Sequence, residues 1–299
     1  MAYRLKFDEA VPQGVKRIAD EEIALAIQHL RGKAGRNKDE AVHETRKSIK
    51  KIRALLRLVS PAMRGPVAAE NRRLRDAGRK ISALRDAGAL LKVFDDLQKG
   101  SKGALGKRSL APIRQALLLH KRRLEETLGT PKAMRTVAAA LARTRQFLKH
   151  WQPDAEGFSA IQGGLERTYR DGKQALAKAR KHGRREDFHE WRKRVKDHWY
   201  HLRLLDEICK DAMPGYEHSL KDLEDALGED LNLAILRKRV LSLPQAKVLP
   251  GKALIAAVES ARKRFRERAL AIGDQVYAEK PRHLTHRILQ LWEASRQVT

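Results

Sequence analysis

Two stretches of the sequence place a histidine and a run of cations at spacings that a helix would gather onto one face. The first, VHETRKSIKKIRALLRLV (42–59), carries His43, Arg46, Lys47, Lys50 and Arg57, and the second, FHEWRKRVKDHWYHLRLL (188–205), carries His189, Arg192, Lys193, Lys196 and Arg203. Residues three, four and seven apart share a helix face, so each set forms a basic ridge about 21 Å long at a rise of 1.5 Å per residue. Beside each ridge runs an apolar stripe, Val42, Ile49, Ile52, Leu56 and Val59 in one stretch and Phe188, Val195, Leu202 and Leu205 in the other. Like charges at these spacings destabilise an isolated helix by a few tenths of a kcal/mol each. A single such run is ordinarily a solvated face; two runs of the same pattern point to a bound anion that offsets the repulsion. Guanidinium and ammonium groups in this arrangement suit phosphates, which accept short charge-assisted hydrogen bonds. Each histidine stands near the start of its helix, where the dipole favours a neutral ring that donates to a phosphate or orients a neighbour.

The remaining candidates carry less chemistry. His198 and His201, and again His283 and His286, have the i, i+3 spacing of a helical metal pair but no third ligand nearby in sequence. The pairs Asp95-Asp96, Glu125-Glu126 and Asp206-Glu207 are adjacent on helices and diverge by about 100°, so they form no shared carboxylate site. The sequence has no P-loop, nucleophile elbow, zincin or dinucleotide-binding motif. No catalytic residue, metal site or cofactor is expected.

The elements that must hold the ridges follow from composition and period. The 299 residues contain 64 Lys+Arg and 37 Asp+Glu, a formal net charge of +27, with 42% hydrophobic and only 5% aromatic residues. That apolar fraction is enough for a packed core and too high for a disordered polycation. The abundance of Ala, Leu, Arg, Lys and Glu favours helices over strands, and the expected fold is all-α. Ten segments show the helical period, at 12–32, 39–60, 66–99, 109–128, 132–149, 158–182, 186–210, 214–242, 251–279 and 281–297. Asp39, Pro112 and Pro281 near segment starts, and Gly129 and Gly183 at segment ends, match the preferences of helix termini. The single Cys209 excludes a disulfide framework, and no apolar run approaches the ~18 residues that span a bilayer. A cytoplasmic protein without a membrane partner is expected, and its charge calls for a polyanion.

The chain also resembles itself. A shift of 146 residues aligns His43 with His189 and leaves eight of the seventeen positions from there identical. The same register sets 74–91 on 220–237, pairing Leu74 with Leu220, Asp76 with Asp222, Asp86 with Asn232 and Leu90 with Leu236. Upstream, GVKRI (14–18) aligns with GLERT (164–168) at a shift of 150. A repeat of this length predicts two related helical bundles, 1–152 and 153–299, joined through Trp151–Gly157.

At these residues the sequence resembles the CHAD family, the conserved-histidine α-helical domain. The likeness rests on AVHETRKSIKKIRALLRL around His43, on LRDAGALL around Asp86, on RTYRDGKQALAKA (167–179) running into FHEWRKRVKDHWYHLRLL, and on YAEKPRHLTHRILQLWE near the end. The resemblance implies two pseudo-twofold-related bundles whose basic faces line a groove or pore. It also implies binding of inorganic polyphosphate without turnover, often at polyphosphate granules. Carried over residue by residue, it adds Arg53 to the first ridge, and Arg167, Tyr169, Arg170 and Lys173 ahead of the second, with Arg17 as the counterpart of Arg167. Asp197, Trp199 and Tyr200 stand where the first copy has Lys51, Arg53 and Ala54, so the second ridge is less basic and more aromatic. Residues 1–39 hold no E-x-E-x-K strand of the triphosphate tunnel domain that some members carry, and the binding module alone is expected.

Three functions compete for such a surface. A polyphosphate receptor needs only the ridges. A non-specific nucleic-acid binder needs phosphate contacts as well, but the first ridge lacks interleaved aromatics and no recognition helix is evident; weaker nucleic-acid binding is the alternative. A polyphosphate hydrolase or kinase needs an acidic metal site or a nucleotide loop, and neither is present in the sequence.

Overall fold

Apolar residues recurring at the helical period build helices that can bury only one stripe each, and the chain resolves this by packing helices on helices. The computed structural model describes residues 3–6, 8–31, 38–62, 67–101, 106–128, 131–151, 154–209, 213–247 and 249–297. The helices are α1 (Val11–Arg31), α2 (Lys38–Val59), α3 (Val67–Lys80), α4 (Ser82–Gly100), α5 (Lys107–Leu128), α6 (Pro131–Lys149), α7 (Ser159–His182), α8 (Arg185–Leu204), the single turn α9 (Asp206–Cys209), α10 (Pro214–Leu241), α11 (Leu249–Val276) and α12 (Pro281–Gln297). Short 3-10 turns lie at 60–62 and 244–247, and no strand occurs among the described residues. None of these helices is long and apolar enough to cross a membrane. Gly183 ends α7 in the left-handed conformation at φ 63°, and Pro281 opens α12, as the sequence predicts. The expected helix end at Gly129 lies outside the described residues, as do Gln152 and Pro153 in the expected linker.

Two segments that the sequence predicts as continuous are broken, each where a group from elsewhere in the chain takes a helix carbonyl. Between α3 and α4 the Gly78 carbonyl accepts from the Ser82 hydroxyl at 2.9 Å and from Arg46 Nη1 at 3.3 Å, which compete with the helix's own N–H donor. Ile81 sits at the break, fully buried, with φ −106° and ψ 3°. Between α8 and α9 the Leu5 amide donates to the Leu204 carbonyl at 2.8 Å, and the Leu205 amide turns back to Leu202 at 2.9 Å. Pro112 lies inside α5 rather than at its start, because the helix begins earlier, at Lys107.

The apolar stripes meet in two clusters, and each draws on both sides of residue 152. The larger joins buried residues of α1, α2, α3 and α6 to those of α7, α8, α12 and the first half of α10. The smaller joins α4 and α5, through Phe94, Leu110 and Leu117, to the second half of α10 and to α11, through Leu236, Val240 and Leu254. Where α7 crosses the end of α2, Gly164 lets the two backbones nearly touch; a Cβ built there would stand 1.7 Å from the Leu58 carbonyl oxygen.

The predicted i, i+3 pair His198 and His201 is part of this core. The His198 ring packs edge-on against Tyr169 at 5.5 Å and beside Tyr216 at 5.8 Å, whereas His201 Nε2 donates to the Ala54 carbonyl at 2.9 Å. Burial, with His201 nearby, pushes the His198 imidazole down to about 3, and burial likewise pushes His201 down to about 4. Both rings stay neutral in the folded state while the unfolded chain binds protons near pH 6.5. Stability therefore holds above about pH 6.5 and falls as pH drops toward 4, with a slope of about 1.4 kcal/mol per pH unit for each histidine. Urea unfolding at pH 7, 5.5 and 4.5 measures this, and His198→Phe should reduce the slope; an unchanged slope overturns the assignment.

A candidate polyanion site where two basic helices meet

α2 and α8 come from opposite halves of the chain, yet they pack directly against each other and bring the two ridges together. Lys50 of α2 lies among Lys196 and Arg192 of α8 and Arg46 of its own helix. Arg46, Arg192 and Lys196 expose only 16%, 21% and 18% of their side chains, so these charges are drawn well out of water. Burial first, and then the charges of Lys196, Arg192 and Arg46, lower the Lys50 ammonium to about 7. Among the described residues no hydrogen bond or ion pair engages that ammonium. Burial also lowers Lys196 from its ordinary value, against the pull of Glu224.

One carboxylate stands inside the cluster. Glu224 of α10 is 5% exposed, and its Oε1 accepts from Arg192 Nη2 at 2.8 Å and from Lys196 Nζ at 2.7 Å, with Lys221 Nζ 4.0 Å from Oε2. Burial pushes this carboxyl upward, but Arg192, Lys196 and Lys221 together outweigh it and hold it below the usual carboxylate range. Three cations thus share one buried anion, and a low-dielectric setting makes both the attraction and the residual repulsion stronger than in water.

The ridges continue on either side of this point. Arg46 donates to the Ser82 hydroxyl and to the Gly78 carbonyl, and its Nη2 lies 3.8 Å from Asp86. Arg53 Nε donates to Asn71 at 2.8 Å, and burial, followed by the charges of Arg57, Arg75 and Arg79, lowers its guanidinium to about 10. Arg57 reaches across to α8 and donates to Asp197 Oδ1 at 2.7 Å. On α8, Trp199 takes Lys196, Arg203 and Lys221 over its ring at 5.6, 5.2 and 5.6 Å, each a cation–π contact that holds a charge in place.

At the helix starts the histidines differ. His43 is exposed, 3.8 Å from Glu44, and Lys47 pairs with the same carboxylate at 3.2 Å. His189 is half-buried, its Nδ1 has no partner among the described residues, and burial followed by Lys193 and Arg192 lowers its pKa and favours the neutral ring. Lys193 pairs with Glu190 at 2.9 Å.

The other residues expected at the site make contacts that hold the fold together. Arg17 is gripped by Glu9 at 2.6 Å and by Glu21 at 3.2 Å. Arg167 donates to the Arg57 carbonyl at 2.7 Å and to Ser60 Oγ, tying α7 to the end of α2. The Tyr169 hydroxyl donates to the Glu279 carbonyl at 3.1 Å, and Lys173 to the same carbonyl at 2.8 Å, so both fix the turn between α11 and α12. Arg170 pairs with Glu166 one turn away at 3.1 Å.

Sequence reasoning missed Glu224, Lys221, Arg75 and Arg79. A signal for two of them was present: the 146-residue register aligns Arg75 with Lys221, a cation in both copies. Glu224 aligns with Gly78 and so carried no repeated pattern. Among the described residues no group of three or more His, Cys, Asp or Glu is placed to hold a metal ion.

Comparison with known proteins adds three findings. The profile of the CHAD domain family matches residues 18–241. The fold is similar to a crystal structure of the CHAD domain from the plant Ricinus communis, with a TM-score of 0.61 and 16% identity over 93% of this chain and 94% of that one. No curated protein matches the chain.

Proposed function

Since the chain belongs to the CHAD domain family, we propose that it binds inorganic polyphosphate along the joined ridges of α2 and α8, without turning it over. The observation that carries this reading is the convergence of Arg46, Lys50, Arg192 and Lys196 where α2 meets α8, four cations drawn largely out of water beside the carboxylates Glu224 and Asp86. Partly buried cations in that number repel one another and lose hydration, a cost that a polyanion offsets when it enters. A phosphate chain is narrow and flexible, bears a charge at every unit, and can follow a line of guanidinium and ammonium donors. The site needs no nucleotide loop or metal cluster for binding alone, and the reading extends to association with polyphosphate granules.

Non-specific nucleic-acid binding is the competing reading, and Trp199 on the second ridge is the observation in its favour, because bases stack on aromatic rings. Three cations already lie over that ring, which leaves it poorly open to a base. Titration at near-physiological salt should show polyphosphate binding much more tightly than duplex DNA of equal phosphate count, since a duplex is too wide to lie between packed helices. Equal or tighter DNA binding favours the competing reading. Incubation with polyphosphate and Mg²⁺ or Mn²⁺ should release no phosphate; metal-dependent release lost on a single Asp or Glu substitution overturns the non-catalytic part.

A further inference from the structure

We propose that a phosphate chain held at the α2–α8 cluster runs on over α3, where Arg75 and Arg79 are further ligands, and is turned away from α10; the inference rests on the reading of that cluster as a phosphate site. The 146-residue register sets 67–80, which is α3, on 213–226 at the start of α10. The two helices flank the joined ridges in matching ways, α3 against α2 and α10 against α8. Their charges are opposite. Residues 67–80 hold five cations and two acids, net +3, whereas 213–226 hold one lysine and four acids, net −3 with His218 neutral. The flank beside α2 therefore attracts an anion, and the flank beside α8 repels one.

Contacts place the α3 cations along the first ridge. Arg53 Nε donates to Asn71 at 2.8 Å and Arg46 Nη1 to the Gly78 carbonyl at 3.3 Å, so α3 runs antiparallel to α2, with 71–78 alongside 46–53. Asn71, Arg75 and Arg79 are spaced four residues apart and form one stripe of α3, and the charges of Arg75 and Arg79 act on Arg53. One exposed acid, Asp76, answers both: it accepts from Arg75 Nε at 2.9 Å and Nη2 at 3.3 Å and stands 3.9 Å from Arg79. That leaves the Arg75 Nη1 donors for a phosphate, and the Arg79 side chain is 70% exposed. Asp197, the acid that acts on Arg53, is buried and held by Arg57. On the other flank the counterpart of Arg75 is Lys221, which lies over the Trp199 ring at 5.6 Å, Trp199 being the counterpart of Arg53. Acids surround it there: Lys221 pairs with Asp225, the counterpart of Arg79, and lies 4.0 Å from Glu224. A phosphate over Arg75 meets Arg53 and Arg79, whereas one over Lys221 meets two carboxylates.

Arg75→Ala and Lys221→Ala remove one charge each from equivalent places, and titration with long-chain polyphosphate over a salt series compares them. Arg75→Ala should weaken binding about tenfold, the worth of one charge-assisted contact, and flatten the slope of log K against log salt by about 0.7. Lys221→Ala should weaken binding less than about threefold and leave the slope unchanged, as the loss of a charge that touches no ligand does. Adding Arg79→Ala to Arg75→Ala should weaken binding further. Lys263→Ala with Arg264→Ala, exposed on α11, controls for the lost net charge and should stay within about threefold of wild type. If either single variant fails to fold, judged by circular dichroism, Arg75→Gln and Lys221→Gln make the same comparison. An equal or larger loss from Lys221→Ala, or a loss from the α3 pair no larger than from the α11 pair, overturns the path over α3 and leaves the central site standing. Wild-type protein that does not hold polyphosphate overturns the site itself and this inference with it.

Discussion

Replacing Arg46 and Lys50 together with alanine is expected to weaken polyphosphate binding about a hundredfold and to leave the free protein as stable as before or more so. The affinity loss follows from two charge-assisted contacts at about 1.5 kcal/mol or more each. The dependence of log K on log salt should flatten by about 0.7 for each phosphate contact removed, by analogy with single-stranded nucleic acids. Stability gains because Lys50 is held at about 7 by burial and by three like charges. Its folded state binds fewer protons than the unfolded chain between about pH 7 and the ordinary lysine value near 10.4, so wild-type stability rises across that window and falls as pH drops through 7. The variant should lose that rise. Binding has the opposite sign, because a phosphate favours the charged ammonium, and wild-type affinity should fall as pH rises through 7. Calorimetric titration and urea unfolding at pH 6, 7.5 and 9 read all three effects; unchanged affinity and salt slope would falsify the assignment of α2 to the site.

The matching pair on α8 behaves differently. From sequence, both ridges read alike, as basic faces beside an apolar stripe. The structure separates them, since Arg192 and Lys196 of the second are the partners of buried Glu224. Removing both strands a carboxylate out of water, and losing a buried partner costs about 3–5 kcal/mol. Arg192→Ala with Lys196→Ala should therefore lower stability by that order, and adding Glu224→Gln should recover most of it. Binding contributions on this side are best measured in the triple variant.

Gly164→Ala should cost about 3 kcal/mol or more, the largest loss of stability from adding one methyl group anywhere near the α2–α7 crossing. Its Cβ would fall 1.7 Å from the Leu58 carbonyl oxygen and 2.5 Å from that residue's carbonyl carbon. Those are backbone atoms of a helix, which cannot rotate aside as a side chain can, so the two helices must separate and open the packing of Ile161 and Leu165 against α2. Gly163→Ala is the internal control: its nearest neighbour is the Pro61 ring at 3.2 Å, which a few tenths of an ångström of movement relieves. Denaturant unfolding of the two variants compares them directly. A Gly164→Ala protein of near wild-type stability would mean that α7 does not approach α2 this closely.

The all-α class, eight of the helices one by one, the α3–α4 and α8–α9 stretches each as one segment, and the two basic stripes with their apolar neighbours are legible from residue order alone. These are local properties: helical period, capping residues and charge spacing act over three to seven positions and need no partner segment. Residue order also located Gly14 and Gly164 at matching places in GVKRI and GLERT, without revealing that the second permits a backbone contact. The breaks at Ile81 and Leu205 were not legible, because Arg46, which joins Ser82 on the Gly78 carbonyl, and Leu5, which takes the Leu204 carbonyl, are far away in the chain. Nor was the division of labour within the predicted site. Arg17, Arg57, Arg167, Tyr169 and Lys173 have the residue types and spacing of ligands, yet Glu9, Asp197, the end of α2 and the turn after α11 claim them. Helix packing alone brings Lys50 to Lys196 across nearly 150 residues of chain and sets Glu224, an acid without a repeated counterpart, against Arg192 and Lys196. Each of those depends on how one helix crosses another, which sets distance, burial and therefore the strength of every charge in the cluster.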